Sequence, residues 1–107
     1  MIRERARTPV RSRAQRVEAL RRANEIRIAR AALKRQLALG TVEITGVLAA
    51  PLACIRTQKV GELLLALPRY GPVRVSRLLA DCQISAAKTV AGLSDRQRRE
   101  LISRLST

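Results

Sequence analysis

Two apolar stripes, separated by a short segment with two prolines and a glycine, constrain the fold of this chain more than any other feature. The spacing i, i+3, i+4, i+7 marks one buried face of a helix. It occurs twice, at Val60, Leu63, Leu64 and Leu67 and again at Val75, Leu78, Leu79 and Cys82. Pro68 is expected to end the first helix, and Pro72 is suited to the first turn of the second. The sequence therefore predicts two antiparallel helices joined by a tight turn.

The predicted turn is a candidate anion site. A helix that starts just after Gly71 has free backbone N–H groups and the positive end of its dipole there, and phosphate is the usual ligand of such an end. Arg69, Arg74 and Arg77 surround the position. The same residues also suit an ordinary helix pair with solvated arginines, and this stretch alone leaves both interpretations open.

The near absence of aromatic residues restricts the core. The chain has 107 residues, which suits one small domain with a tail, and Tyr70 is its one aromatic residue. A core of Leu, Ile, Val and Ala favours closely packed helices. No segment alternates as a strand does, and no hairpin signal such as Asn-Gly is present. The sequence predicts an all-α protein.

The charge indicates a polyanion as partner. The net charge is +14 and the pI is about 11.8, values typical of proteins that bind DNA, RNA or an anionic membrane. No apolar run is long enough to span a bilayer, and the start of the chain lacks the apolar core of a secretion signal. We therefore expect a cytoplasmic protein, in which Cys54 and Cys82 are free and mostly buried.

The same composition argues against an enzyme. The chain has no histidine, its eight carboxylates are scattered, and no glycine-rich nucleotide fingerprint is present. Two cysteines 28 positions apart do not form a metal cluster. We expect no catalytic residue, no metal, no cofactor and no small-molecule substrate.

The chain divides into three parts. Residues 1–14 are predicted to be a disordered basic arm, and residues 15–40 a long basic helix that ends at Gly40 and projects from the body. Residues 41–107 are predicted to be a helical domain. Residues 1–39 contain twelve Lys/Arg and three acids, hence +9, and residues 40–107 contain ten and five, hence +5. Two regions of contact with a polyanion are therefore plausible.

Four polar residues are candidate helix caps. Thr41 is predicted to cap a short helix through Ala50, and Thr57 the first helix of the pair. Ser85 is predicted to open a helical piece over residues 86–90. Ser94 and Gln97 have the spacing of a capping box for the last helix.

Several motifs resemble a known family when read in order. A long basic helix is followed by Gly40-Thr41, then by Leu67-Pro-x-x-Gly71, and finally by Gly92-Leu93-x-x-x-Gln97-Arg98. This order, over roughly residues 15–105, resembles the actinobacterial integration host factors, which are small nucleoid-associated proteins. The resemblance implies a long N-terminal helix followed by a helix-two-turns-helix domain like that of ribosomal protein S13. It also implies binding and bending of double-stranded DNA with little sequence preference.

One segment departs from the family pattern Arg-Arg-x-Arg-Gly-Leu-Gly. Here the corresponding residues are Lys88-Thr89-Val90-Ala91-Gly92-Leu93-Ser94, and only Lys88 keeps the charge. The resemblance therefore leaves the strength of this contact open, with the arginine-rich first helix as a candidate to compensate for it.

The resulting prediction is a monomeric, nucleoid-associated protein that binds double-stranded DNA and does not bind membranes. The predicted DNA-binding residues are Arg69, Tyr70, Gly71, Pro72, Val73, Arg74, Arg77, Lys88, Thr89, Arg96 and, on the first helix, Arg21, Arg22, Arg27, Arg30 and Lys34.

Three other functions are compatible with parts of the sequence. The main alternative is an RNA- or ribosome-associated protein, because gripping phosphates does not distinguish the two nucleic acids. An enzyme of the DNA glycosylase type shares the helix-two-turns-helix domain, but the chain lacks the catalytic domain of those enzymes. A basic helix lying on an anionic membrane is disfavoured, since the apolar face of the first helix is rich in Ala rather than in Leu and Trp.

Overall fold

The structure, a computed structural model, describes residues 12–106. Within this range the chain forms five α-helices, one short 3-10 helix and a single isolated β-bridge, and it contains no strand. The helices are α1 (Arg13–Leu39), α2 (Ile44–Ala49), the 3-10 helix (Ala53–Ile55), α3 (Val60–Leu64), α4 (Pro72–Asp81) and α5 (Asp95–Leu105). The prediction of an all-α fold is confirmed.

α1 begins earlier than predicted because Ser12 caps it. The Ser12 hydroxyl accepts the backbone N–H of Gln15 at 3.1 Å, and the Gln15 side chain accepts the N–H of Ser12 at 2.9 Å. Arg13 and Ala14 are therefore helical, whereas residues 1–11 of the predicted arm lie outside the described residues. At the other end Gly40 has φ 77°, the left-handed conformation that favours glycine as a helix terminator.

Only the C-terminal half of α1 contributes to the core. Leu33 and Leu37 are buried, whereas Val17, Leu20 and Ile28 are 58%, 70% and 61% exposed. The molecule accordingly measures 63 Å along its longest axis and 28 and 24 Å across the others. The first half of α1 projects from the body, as its length led us to expect.

The core is aliphatic, as the composition predicts. α3 and α4 bury most of the faces expected from their stripes. α3 ends at Leu64, earlier than the predicted stop at Pro68, so Leu67 lies beyond the helix and is only partly buried. Leu78 in α4 is also only partly buried. α5 packs on α2 and buries Leu101 completely, and Tyr70 lies at the edge of the core. Fully buried side chains include Leu48, Ile55, Val60, Leu63, Leu64, Val90 and Leu101.

Two of the predicted caps are wrong, because each threonine makes a different hydrogen bond. Thr41 donates its hydroxyl to the carbonyl of Gln36 at 3.2 Å, so it serves the end of α1, and α2 begins only at Ile44. Thr57 accepts a hydrogen bond from Arg30 at 2.8 Å, and α3 begins only at Val60.

The helical piece predicted over residues 86–90 is also wrong. The N–H of Val60 donates to the carbonyl of Lys88, and the N–H of Val90 donates to the carbonyl of Gln58, both at 3.0 Å. This pairing with the segment before α3 uses the backbone groups that a helix would need. In contrast, the capping box of Ser94 and Gln97 is present as predicted.

The cysteines are free, and Cys82 is buried while Cys54 is partly buried. No helix within residues 12–106 combines the length and apolar character needed to cross a bilayer. In the same range, no three Cys, Asp or Glu side chains group closely enough to hold a metal ion.

Candidate nucleic-acid interface

The turn between α3 and α4 contains one residue in the left-handed conformation. Arg69 has φ 70°, whereas Gly71, the N-cap of α4, has an extended φ of −86°. A Cβ added to Gly71 would meet no atom within 4 Å. Gly71 is therefore not required for its φ, and the space around its Cα is open.

Arg74 braces this turn. Its guanidinium donates to the carbonyl of Arg69 at 3.3 Å and to the hydroxyl of Tyr70 at 3.4 Å. The same group lies over the Tyr70 ring, an arrangement that stabilises a cation by the electrostatics of the ring face. Arg74 is thus both a charge at the N-terminus of α4 and a structural part of the turn.

An open cleft of about 650 Å³ lies along α4, from the turn that precedes the helix to Asp81 at its end. Six of the predicted DNA-binding residues line the cleft, namely Tyr70, Gly71, Pro72, Val73, Arg74 and Arg77. Leu78, Asp81 and Arg104 complete the lining. Arg104 reaches the cleft from α5 and lies 3.7 Å from the carboxylate of Asp81. Its hydrogen bond to Glu100 raises the pKa of Arg104. No local motif links Arg104 to the turn, so sequence reasoning missed it.

Lys88 and Thr89 lie at a second place, beside the segment that precedes α3. Lys59 and Thr89 form the isolated antiparallel bridge. The Thr89 hydroxyl accepts the N–H of Gly92 at 3.2 Å, so it stabilises its own turn. The Lys88 side chain runs close to Gly92, where a Cβ would lie 3.3 Å from its Cδ.

Arg96 is not part of the cleft at the turn. It donates to the side chain of Gln83 at 3.1 Å, just beyond the C-terminal end of α4.

Two of the α1 arginines are paired with acids. Arg21 binds both Glu18 and Glu25, and Arg22 binds Glu18 at 3.1 Å. These hydrogen bonds from Arg21 and Arg22 lower the pKa of Glu18, so the carboxylate stays charged. This side of the projecting helix is largely neutralised, which makes Arg21 and Arg22 weaker candidates for DNA contacts than their position in the sequence indicates.

A third α1 arginine joins the helix to the body. Arg30 donates to the carbonyl of Cys54 at 2.6 Å and to the Thr57 hydroxyl at 2.8 Å. Arg27 and Lys34, three residues before and four after, lie on the same side of the helix. Neither forms an ion pair within residues 12–106.

Three further cations were not predicted. Arg98 is structural, since it donates to the carbonyl of Leu48 at 2.9 Å near the C-terminus of α2. Arg56 and Lys59 are exposed and lie beside the Lys88–Thr89 segment. Arg56 and Lys59 come close to Lys88 and Thr89 only because two distant segments pair, and no local sequence motif predicts that pairing.

Comparison with known proteins identifies the family. The S13-like H2TH domain model matches residues 37–105. An integration host factor of Mycobacterium tuberculosis is 36% identical over 95 residues, which cover 87% of this chain and 90% of that protein. The chain belongs to the integration host factor family.

A second integration host factor, from Mycolicibacterium smegmatis, is 36% identical over 92 residues, covering 84% of this chain and 88% of that protein. The likeness extends to three dimensions. A solved structure described as sIHF bound to an 8bp palindromic DNA matches with a TM-score of 0.74 and 28% identity, covering 79% of this chain and 98% of that chain. The predicted architecture, a long N-terminal helix followed by an S13-like domain, is confirmed for this member of the integration host factor family.

Proposed function

We propose that this protein is an architectural protein of the nucleoid, in the cytoplasm, that binds double-stranded DNA with low sequence specificity and bends or compacts it. One observation carries the proposal: the fold matches 98% of a chain solved in complex with DNA. The net charge of +14 supports the same partner, because neutralising phosphates is the main source of such affinity.

The turn between α3 and α4 is the proposed centre of the DNA contact. The first residues of α4 line the cleft, and an oxygen of a phosphate is the ligand that the unbonded N–H groups of a helix N-terminus favour. Arg69 and Arg77 are exposed and form no ion pair within residues 12–106. Arg74, stacked on Tyr70, would add a positive charge that is held in one position. We propose that these three arginines neutralise the backbone around one phosphate.

Weak sequence preference follows from the kind of contact. Phosphate contacts position a protein on the duplex but do not read bases. The cleft is lined by three arginines, Asp81, Tyr70 and apolar residues, with no Asn or Gln among its residues to pair with adenine edges. We propose that the protein acts by binding, without chemistry on the DNA.

Binding of matched nucleic acids at one salt concentration tests the proposal. Fluorescence anisotropy with duplex DNA, duplex RNA and both single strands should give the highest affinity for duplex DNA. A preference for RNA would favour the RNA-associated alternative. The slope of log K against log salt is expected to be about −0.9 per phosphate contact, for roughly five to eight contacts. A slope shallower than about −2 would contradict backbone binding, and end-to-end energy transfer on the bound duplex would measure bending.

A further inference from the structure

A second line of apolar side chains runs along α1, apart from the one that packs on the body. Val17, Ile28 and Leu39 are spaced eleven residues apart, and each is more than half exposed. Eleven residues complete about three turns of an α-helix, so these side chains lie in one line. Leu20, which is also more than half exposed, follows Val17 by three residues and lies beside that line. We call these four residues the outer stripe.

The outer stripe points away from the body. Leu33 and Leu37 are the buried residues of α1, and Leu37 follows Ile28 by nine residues. Nine residues are about two and a half turns, so the two side chains lie on opposite sides of the helix. Within residues 12–106, five of the eight exposed large apolar side chains belong to α1, and four of the five form the outer stripe. Single exposed apolar residues are ordinary, but a row of them on one helix indicates an interaction face.

Charged residues lie directly beside the outer stripe, which makes it narrow. Arg13 and Arg21 are four residues before and after Val17, and Arg35 is seven residues after Ile28. Residues at these spacings share one side of a helix. A narrow apolar seam between charges is typical of a helix that packs on one other helix, whereas a helix that lies on a membrane has a broad apolar face. The outer stripe therefore fits a single partner helix.

The charge of α1 indicates which kind of helix would fit. Arg13–Leu39 contains eight Lys/Arg and two acids, hence a net charge of +6. Both acids are bound by arginines of the same helix, whereas Arg13, Arg27 and Arg35 form no ion pair within residues 12–106. A second copy of α1 would bring another +6 to the seam and be repelled. A helix with acids beside its apolar face would be attracted.

We infer that the outer stripe of α1 is a docking surface for an acidic amphipathic helix of another protein. Asn24 lies within the seam, four residues after Leu20 and four before Ile28. A single Asn in an apolar seam fixes the register of two helices, so the partner should have a polar side chain opposite it. Docking requires no repacking, because residues 13–28 bury no side chain of the core. The inference goes beyond the proposed function and does not depend on it.

A designed peptide tests the outer stripe. The probe is a peptide of about 20 residues, roughly 30 Å long as a helix, with leucines on one face and glutamates beside them. The control peptide has the same composition in an order that gives no apolar face, so it carries the same charge. In fluorescence anisotropy, the parent protein should bind the amphipathic peptide about tenfold more tightly, because only that peptide covers the outer stripe. Equal affinities would show that charge alone attracts the peptide and would overturn the inference.

Two double variants locate the binding on α1. Leu20→Gln/Ile28→Gln removes the centre of the outer stripe and keeps every charge, and Leu52→Gln/Leu65→Gln removes two exposed leucines elsewhere as the matched control. The stripe double should lose the preference for the amphipathic peptide, and the control should keep it. Both should bind duplex DNA within about twofold of the parent, since no charge is lost. Circular dichroism and melting establish that each variant is folded.

The inference fails if the folded stripe double still prefers the amphipathic peptide. It also fails if this double alone loses affinity for duplex DNA, since the outer stripe would then belong to the DNA contact. A parent protein that does not bind duplex DNA at all would instead overturn the proposed function and leave the docking surface unaffected.

Two measurements on the parent protein distinguish other occupants of the outer stripe. Sedimentation velocity without DNA should show a monomer, and a dimer that Leu20→Gln/Ile28→Gln dissociates would make a second copy the occupant. Phosphatidylglycerol vesicles should sediment equal fractions of the parent and of this double. A loss of sedimentation in the double would assign the outer stripe to an anionic membrane. Either of these results would overturn the inference.

Discussion

The guanidinium carbon of Arg74 lies 4.0 Å from the centroid of the Tyr70 ring. The partners belong to different elements, since Tyr70 is the last residue of the turn before the N-cap and Arg74 is in the first turn of α4. This contact fixes the direction of a charge beside free backbone N–H groups. It also explains why the one aromatic residue of the chain lies at the turn.

Removing either partner should weaken DNA binding by a different route. Arg74→Ala loses a charge and should cost on the order of 1 kcal/mol of binding, with a salt slope shallower by about one. Tyr70→Leu keeps all charges, so the slope should not change, but affinity should fall by a smaller amount because Arg74 is no longer held. Anisotropy titrations at several salt concentrations separate the two. A Tyr70→Leu protein with parental affinity would show that the stacking has no role in binding.

Gly71 should tolerate a small side chain but not a negative one. Because its φ is extended and a Cβ would meet nothing within 4 Å, Gly71→Ala should fold normally and bind DNA within about threefold of the parent. Gly71→Glu should nearly abolish binding, since it places an anion where a phosphate would lie. Equal affinities of folded Gly71→Glu and Gly71→Ala would remove the turn from the binding site.

Replacing Arg69 by glycine should raise the stability of the protein and lower its affinity for DNA. Its φ of 70° is a conformation that costs an L side chain about 1 kcal/mol. Arg69→Gly removes this strain and should raise the free energy of unfolding by roughly 0.5 kcal/mol, while DNA affinity falls with the lost charge. Arg69→Gln loses the same charge without the relief of strain. Equal stability of these two variants in chemical denaturation would show that the left-handed conformation of Arg69 costs the folded protein no free energy.

The two capping boxes should differ in their effect on stability although their geometry is alike. Ser94 caps α5, whose Leu101 is fully buried, so Ser94→Ala should lower the free energy of unfolding by about 1 kcal/mol. Ser12 caps the projecting end of α1, and Ser12→Ala should reduce helical circular dichroism slightly without changing the melting temperature. An equal loss of melting temperature in both variants would mean that the start of α1 packs on the body.

The two thiols should react at different rates. Burial raises the pKa of the Cys82 thiol above its usual 9.0, so little of the reactive thiolate forms, whereas Cys54 is only partly buried. Because the folded protein favours the neutral thiol, Cys82 makes its full contribution to the free energy of unfolding at pH values below the ordinary pKa of a thiol. This contribution should be lost as the pH rises above about 9. Native labelling followed by mass spectrometry should modify Cys54 first, and denaturation should expose both. Preferential labelling of Cys82 would contradict the burial.

The parts of the fold that could be predicted are those set by local pattern. The stripes of α3 and α4, the stop at Gly40 and the capping box at Ser94 follow from spacing and from backbone preferences within a few residues. The threonine caps were wrong because a hydroxyl has several possible partners. Thr57 is bound by Arg30, 27 residues earlier, and no local rule ranks that bond against a helix cap.

The candidate site was predictable in part for the same reason. Tyr70 to Arg77 are contiguous, and the structure brings them together in one cleft. The sequence analysis predicts Arg21 and Arg22 as DNA contacts, although Glu18, three and four residues before them, and Glu25, four residues after Arg21, already indicate ion pairs in the sequence. Arg56 and Lys59 could not be found, because their neighbours at Lys88 to Ala91 are set by pairing across about 30 residues of chain.

The projecting half of α1 carries charges that the packed domain does not need in order to fold. Residues 13–28 bury no side chain of the core, so changes of charge along them carry almost no penalty in folding free energy. Single substitutions in this part can therefore change the affinity for a polyanion and the dependence of that affinity on ionic strength. The domain that packs Leu33 and Leu37 stays intact. In the proposed function, the affinity for DNA can therefore evolve through this part of α1 without any change to the fold.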